Sequence, residues 1–409
     1  MKDKKNNLVY YLFDWANSPF STVVITFIFS SYFVNTISGN KVEGTSMWGW
    51  TIALSGLFLA FFAPLIGYLG DIKRNVSKYF LIVSSLIVVV LCCCLWFAKA
   101  SSSYIYFTLI LIFIANSLFE MGQIFYNSEI LNFKKNVPLG EFSGKAWSSG
   151  YLGGILCLVL ILFLIILPNN NLLGLNKEEF EHIRICGPVV GIWFLIFSFP
   201  FLYKITRSKT IPKKDNKKDF IKSLKSNIKN KNKLNFLIAR MFYTDGLITL
   251  FSFGGIYASG TFDFNFNDII IFGIAINMSA ALGSYSFGYL EDRIGIKKVI
   301  MISLCSLIII SFVILIISNK TLFWLLGISI GFFIGSIQSS SRTAIIKLSS
   351  QEQLKSMFGL YAVSGKITNF LGPFFVAVAT SLFDSQRMGM STILIFLVIG
   401  TIIFSRTKI

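Results

Sequence analysis

Asn116, Glu120, Gln123 and Asn127 follow one another at intervals of four, three and four residues. On an α-helix this spacing sets all four along one face. Such a face offers a carboxylate that can exchange a proton or hold a cation, flanked by neutral amide donors and acceptors. Smaller groupings of the same kind recur along the chain. Asp14 and Asn17 lie three apart, just before Pro19, where a kink is expected. Arg240 and Asp245 lie five apart, Gln338 and Arg342 four apart, and Lys366 and Asn369 three apart. Each grouping interrupts a long apolar run, where a polar side chain is costly unless protein, water or a ligand satisfies it.

The apolar runs are what must position these groups. Of the 409 residues, 54% are hydrophobic and only 14% charged, and the mean hydropathy is +0.70. Soluble domains carry roughly 25% charged residues. A chain this apolar is matched to a bilayer, whose lipid covers its exterior. A helix needs about 20 mostly apolar residues to cross the hydrocarbon. Twelve runs qualify, at about 8–36, 47–70, 77–98, 104–130, 138–167, 185–204, 234–259, 267–290, 297–318, 320–346, 355–383 and 388–406. Strands of a membrane barrel would alternate polar and apolar residues, and Leu81 to Leu91 does not. The first run is too long for a cleavable signal, carries Asp14 and lacks a small-residue cleavage site.

Charge orients these spans. With both termini on one side, that side collects 28 of the 37 Lys and Arg residues and the other side 6, while Lys145, Arg240 and Lys366 fall inside spans. Excess basic residues mark the cytoplasmic face, so both termini are expected there, in the cell (inner) membrane. Residues 204–233 hold 12 of the basic residues, and their first reading is topological retention beside anionic headgroups. A regulatory or lipid-binding role is the alternative. The net charge of +18 therefore calls for no nucleic-acid partner. The six cysteines have no metal or disulfide spacing, and the single histidine, His182, is placed in an outward loop. No cofactor and no metal are expected, and no nucleotide-binding loop occurs.

The chain also repeats. Gly67-Tyr-Leu-Gly-Asp71 is echoed 221 residues later by Gly288-Tyr-Leu-Glu-Asp292, and Ser143-Gly-Lys145 by Ser364-Gly-Lys366 at the same distance. This predicts two six-helix halves, 1–204 and 234–409, joined by a basic linker at 205–233. Parallel repeats of this kind resemble the major facilitator superfamily. The stretches Gly67-x-x-x-Asp71 and Gly288-x-x-x-Asp292-Arg293 resemble its cytoplasmic loop motif. A narrower resemblance, to the vacuolar-effluxer-like ("unknown major facilitator") family, rests on Asp14-Trp-Ala-Asn-Ser18, Gly150-Tyr-Leu-Gly-Gly154, Tyr243-Thr-Asp245-Gly246, Gln338-Ser-Ser-Ser-Arg342, Phe358-Gly-Leu-Tyr361 and Gly372-Pro373.

The resemblance implies an all-α integral membrane protein with twelve transmembrane helices. It implies secondary transport of a small solute, with amino acids the substrate class on the fungal side of the family. It casts Asp71, Asp292 and Arg293 as gating residues, each aspartate facing the N-terminus of a helix in its own half; ordinary capping of a turn is the other reading. It also implies that the first, fourth, seventh and tenth helices line a central cavity. Asp14, Asn17, Asn116, Glu120, Gln123, Asn127, Arg240, Asp245, Gln338, Arg342 and Lys366 are then candidates for substrate binding or coupling. Helix–helix hydrogen bonds and mutual salt bridges compete with that role. A carboxylate inside a span is costly unless it has a partner, and a proton is one such partner, so Glu120 or Asp245 suits proton coupling. The expected partners are a small-molecule substrate, protons and the lipid bilayer, acting on a monomer. A non-transporting receptor or scaffold and a translocator of lipid-like substrates are the alternatives; an enzyme is disfavoured by the missing nucleophile–base motif. The charge asymmetry makes a direct prediction. Cysteines placed at Asp215 and Asp263 label from opposite sides of the membrane, and labelling of both from one side contradicts the topology.

Overall fold

The computed structural model describes residues 2–168, 174–207 and 220–409. The part of the expected linker at 208–219 lies outside the described residues. Among the described residues, eleven helices are long and apolar enough to span a bilayer. They are α1 (Asp3–Ile37), α2 (Lys41–Ile72), α3 (Asn75–Phe97), α4 (Ser102–Ser128), α5 (Leu139–Ile166), α6 (Glu181–Arg207), α7 (Lys231–Phe262), α8 (Asp268–Ile294), α9 (Ile296–Ile316), α10 (Lys320–Leu348) and, after a broken element, α12 (Gln386–Ser405). The broken element is the run expected at 355–383. It forms two helices, Leu354–Ser364 and Leu371–Phe383, which together are α11. Residues 365–370 between them are turns.

Local sequence accounts for the punctuation. Asn319 and Ser385 cap α10 and α12 with their side chains, and Asn265 forms a capping box with Asp268 at the start of α8. Pro19 has no N–H to donate and cannot keep the regular ladder. After it, α1 winds as a π-helix over Phe20–Phe27, and the amide of Ile28 donates to Val23 O five residues back at 3.0 Å. The kink expected at Pro19 is a change of winding.

Two compact units divide the chain. One comprises Ile72–Lys135 with the described parts of Met1–Phe62 and Ser149–Lys214. The other comprises Ala63–Asp71, Asn136–Ser148 and the described part of Asp215–Ile409. The first has an aromatic core in which Tyr10 and Phe13 stack on Tyr126 at 4.4 and 4.5 Å, and Phe133 stacks on Phe201 at 4.7 Å. In the second, α8 and α10 approach backbone to backbone. A Cβ on Gly283, Gly331 or Gly335 would strike the carbonyl oxygen of Phe332, Ile276 or Ala280. Close approach through small residues is how helices gain packing contacts where lipid supplies no hydrophobic drive.

These contacts make a paired prediction. Gly283→Ala overpacks the α8–α10 seam and destabilises by about 1–3 kcal/mol. Gly254→Ala in α7, where a Cβ meets nothing within 4 Å, is neutral or stabilising by up to about 1 kcal/mol. Thermal unfolding of the two variants in detergent checks the contrast.

Candidate functional site

Three sets of polar contacts stand out, and the first two involve helix ends. Asp71 closes α2 and receives three hydrogen bonds. The amide of Lys355 donates to Oδ1 at 3.1 Å, and the amide and hydroxyl of Ser356 donate to Oδ2 at 2.8 and 2.5 Å. Asp292, near the end of α8, receives the amides of Gly140 at 2.9 Å and Glu141 at 2.7 Å. Each carboxylate thus satisfies first-turn amides of a helix, at the positive end of its dipole. Glycines four residues earlier allow the approach. A Cβ on Gly67 would strike Lys355 O, and one on Gly288 would lie 2.7 Å from Gly140 O.

This geometry corrects two expectations. The capped helix is not in the aspartate's own sequence half: Asp71 meets α11 and Asp292 meets α5, because the ends of α2 and α5 pack within the C-terminal compact unit. The repeat register of α5 and α11 also differs from the one read at 221. Gly144 packs on Gly288 and Ser284 as Gly359 packs on Ala63 and Pro64. That pairs Gly144 with Gly359, 215 residues on, and leaves Ser143-Gly-Lys145 and Ser364-Gly-Lys366 as a chance match. The α2 and α8 segments keep 221. Arg293 is exposed and takes no part in these contacts.

The same region holds Arg342, only 2% exposed. Its Nε donates to Ser143 Oγ at 3.0 Å, one terminal nitrogen donates to Ser143 O at 2.8 Å, and its guanidinium stands 5.5 Å from the Trp147 ring centre. Ser143 Oγ in turn donates to Ser339 O at 2.9 Å. Lys145 pairs with Glu141 at 2.6 Å and lies 5.1 Å from the centre of the Tyr289 ring. Glu291, a residue the motif comparison passed over, is buried beside Asp292. One oxygen accepts from Thr343 Oγ1 at 2.6 Å and the other is buried without a hydrogen-bond partner. A carboxylate in place of the repeat's Gly70 was the available signal.

The second set surrounds the break in α11. Arg240 of α7 donates to Tyr361 O and, at 2.9 Å, to Ser364 Oγ, with its guanidinium 3.4 Å from the centre of the Tyr361 ring. A cation therefore holds the carbonyl end of the first piece. Asp245, one and a half turns further along α7 and 1% exposed, accepts from the Gly372 amide at 3.3 Å. An anion therefore holds the amide end of the second piece. Both assignments have the sign that complements a helix dipole. Gly365 and Gly372 supply the room, since a Cβ there would lie 2.6 Å from an Arg240 nitrogen or 3.1 Å from Asp245 Oδ1. Three polar atoms at this break are buried without a hydrogen-bond partner: Asp245 Oδ2, Arg240 Nε and Asn369 Oδ1. Lys366 and Gln338 are half-buried.

The remaining candidates belong to the N-terminal unit. The stretch at 14–18 lies against α5 and α6. Ser149 Oγ donates to Tyr11 O at 2.9 Å and Trp193 Nε1 to Trp15 O at 3.3 Å. Gly153 faces the Trp15 backbone, and Gly150 faces Ser18 Oγ and Asp14 O. Asp14 and Asn17 are buried, and Asn17 Nδ2 is buried without a partner. On α4 the polar stripe divides. Asn116 turns to α2 and donates to Ser55 Oγ at 2.6 Å, the helix–helix alternative. Glu120, Gln123 and Asn127 are half-buried, and Gln123 lines a small cleft with Phe13, Ser84, Ser85, Phe119 and Phe194.

A multi-pass bundle with these helix-end contacts has close structural counterparts. It aligns with a crystal structure of the major facilitator superfamily transporter FucP in the outward conformation, at TM-score 0.77 and 12% identity over 100% of this chain and 99% of that one. It aligns with the proton:xylose symporter XylE at TM-score 0.73 and 11% identity, over 98% and 94% of the chains. The chain has the major facilitator fold and is a membrane transporter, not an enzyme. A family model, "Vacuole effluxer Atg22 like", matches residues 140–409, and the chain belongs to that family. Its relatives include the uncharacterized MFS-type transporter YxiO of Bacillus subtilis (strain 168), 23% identical over 97% of this chain and 93% of that protein. Autophagy-related protein 22 of Vanderwaltozyma polyspora is 23% identical over 70% of this chain and 61% of its own length.

The capping geometry is testable without a substrate. Losing a capping carboxylate removes about 1 kcal/mol, or roughly five-fold in an opening equilibrium. Asp71→Ala is expected to speed hydrogen exchange at the Lys355 and Ser356 amides by that factor, and Asp292→Ala to do so at Gly140 and Glu141. Unchanged exchange in both contradicts the assigned contacts.

Proposed function

We propose that this protein is a proton-coupled secondary transporter that exports a small polar solute by alternating access, with amino acids or a related metabolite as the substrate class. The observation that carries the reading is the buried carboxylate of Asp245 at the break in α11, with one oxygen on the Gly372 amide and the other unpartnered. As an anion, Asp245 holds the start of the second helical piece. With a proton on Oδ2 it becomes a donor, and its hold on that amide weakens. Protonation thereby changes both the shape of the break and its capacity to meet a solute.

Arg240 Nε and Asn369 Oδ1 are the neighbouring atoms with unfilled hydrogen-bonding capacity. A solute bearing both an acceptor and a donor would satisfy them, which favours a zwitterion or a polar metabolite over an apolar one. In this reading Glu120 is the second coupling carboxylate. Asp14, Asn17, Gln123, Asn127, Gln338 and Lys366 are further polar candidates for substrate contact. Asp71 and Asp292, with Arg342, fasten the cytoplasmic side while the cavity is open to the other side. The protein works as a monomer in the cell membrane with both termini cytoplasmic, and alternating access exposes the site to each side in turn. Export is supported by the effluxer description of the family.

Purified protein in proteoliposomes tests this with a panel of amino acids, with and without a proton gradient. The wild type is expected to accumulate substrate against its gradient. Asp245→Asn is expected to fall to the level of protein-free vesicles in gradient-driven accumulation yet retain exchange of substrate for substrate, and Glu120→Gln applies the same test to the other half. If both variants accumulate substrate like the wild type, these acids are structural. Binding without any flux would instead identify a receptor.

A further inference from the structure

The short helix Phe220–Lys229 stands apart from the membrane spans. Only Asn230 separates it from α7, so it is held at the end of a spanning helix. Its buried residues are the polar Ser223 and Asn227, four apart, and the half-buried Phe220 and Leu224 share that inward face. Ile221 and Ile228, two turns apart, are 55% and 41% exposed. Lys222, Lys225 and Lys229, three and four apart, are exposed on the adjoining face. An ordinary surface helix turns its apolar side inward. This one does so only in part, for Ile221 and Ile228 stay outward with a row of cations beside them.

Its contacts with the protein fall on both partners of the Asp71 cap. Phe220 meets the Tyr68 ring edge-on at 5.2 Å, and Tyr68 lies three residues before Asp71. At the other end, Ser226 Oγ accepts from Gln353 Nε2 at 3.4 Å, and Lys233 Nζ donates to Asn227 Oδ1 at 2.7 Å and to Gln353 Oε1 at 3.5 Å. Gln353 immediately precedes the first piece of α11, whose opening amides Asp71 holds.

We infer that the outward face of Phe220–Lys229 docks on anionic phospholipid headgroups, and that this docking steadies the Asp71 cap. Isoleucines on one strip and lysines on the next match a layer with acyl chains below and phosphates beside them. Two exposed isoleucines are too narrow a strip for a protein core, and the flanking lysines favour an acidic surface. Because the helix grips both Tyr68 and Gln353, fixing it at the membrane restrains the two elements that the cap joins.

The test uses the full chain in nanodiscs, its native cysteines replaced by serine and a bimane attached at Ile228→Cys. Nitroxide lipids at headgroup depth are expected to quench it more strongly in discs containing phosphatidylglycerol than in phosphatidylcholine alone, and high salt should remove the difference. Each lysine near an anionic surface shifts such a docking equilibrium about five-fold. Replacing Lys222, Lys225 and Lys229 by Gln together should therefore abolish the phosphatidylglycerol preference. Equal quenching in both lipids means apolar insertion without headgroup recognition and overturns the site. No quenching means the face looks to water or to a protein, and overturns it as well. Hydrogen exchange at the Lys355 and Ser356 amides should be slower with phosphatidylglycerol in the wild type and lipid-independent in the triple variant. Lipid-dependent quenching with unchanged exchange would overturn the link to the cap.

Discussion

A helix that breaks inside a bilayer leaves carbonyls on one stump and amides on the other, with no water to satisfy them. In this protein the break in α11 is held by two charges of opposite sign from one neighbour. Arg240 grips the carbonyl end through Tyr361 and Ser364, and Asp245 grips the amide end through Gly372. Neither charge would be tolerated alone in such a place. The break, the two glycines that make room for the side chains, and the two charges depend on one another. Tyr361, whose ring lies against the guanidinium, adds a cation–π contact on the cation's side.

The same electrostatic logic appears at Asp71 and Asp292, where the charge meets the start of an intact helix. Each aspartate follows a glycine by four residues, and each glycine lets two backbones come into contact. Shape and charge therefore act together: without the glycine the carboxylate could not reach the amides. Arg342 adds a buried cation on Ser143 O and Oγ, a contact between α10 and the start of α5. In the alternating-access cycle proposed above, these contacts open on the cytoplasmic side. Helix-end hydrogen bonds suit that purpose, because water can replace them one at a time.

Much of the fold was legible from residues alone. The apolar runs and their lengths gave the spans, and Pro19 marked where α1 changes winding. The aspartates at 71 and 292 were readable as helix-end groups because their neighbours are glycines and bases. The helices they cap were not readable, since a carboxylate accepts any well-placed amide and the chain does not say which helix start is near. The stripe on α4 shows the same limit. Asn116 and Glu120 share a face by spacing, yet Asn116 bonds to Ser55 of a neighbouring helix. The repeat at 143–145 and 364–366 was a match of letters, and only the packing of Gly144 and Gly359 revealed the true register.

By itself the sequence determined the solvent. Long apolar runs with few charges have no stable arrangement but helices in lipid, because the bilayer leaves the backbone no other partner. It also determined which residues were costly enough to need an explanation, since a charge in a span is conspicuous wherever the span goes. Tertiary structure decided what each of those residues touches. The run at 355–383 reads as one helix, and its glycines alone do not locate a break. Arg240 and Asp245 lie more than a hundred residues earlier, and their charges are what make the two stumps tenable. Partners so far apart in the chain are chosen by packing, and packing depends on the shape of the whole fold.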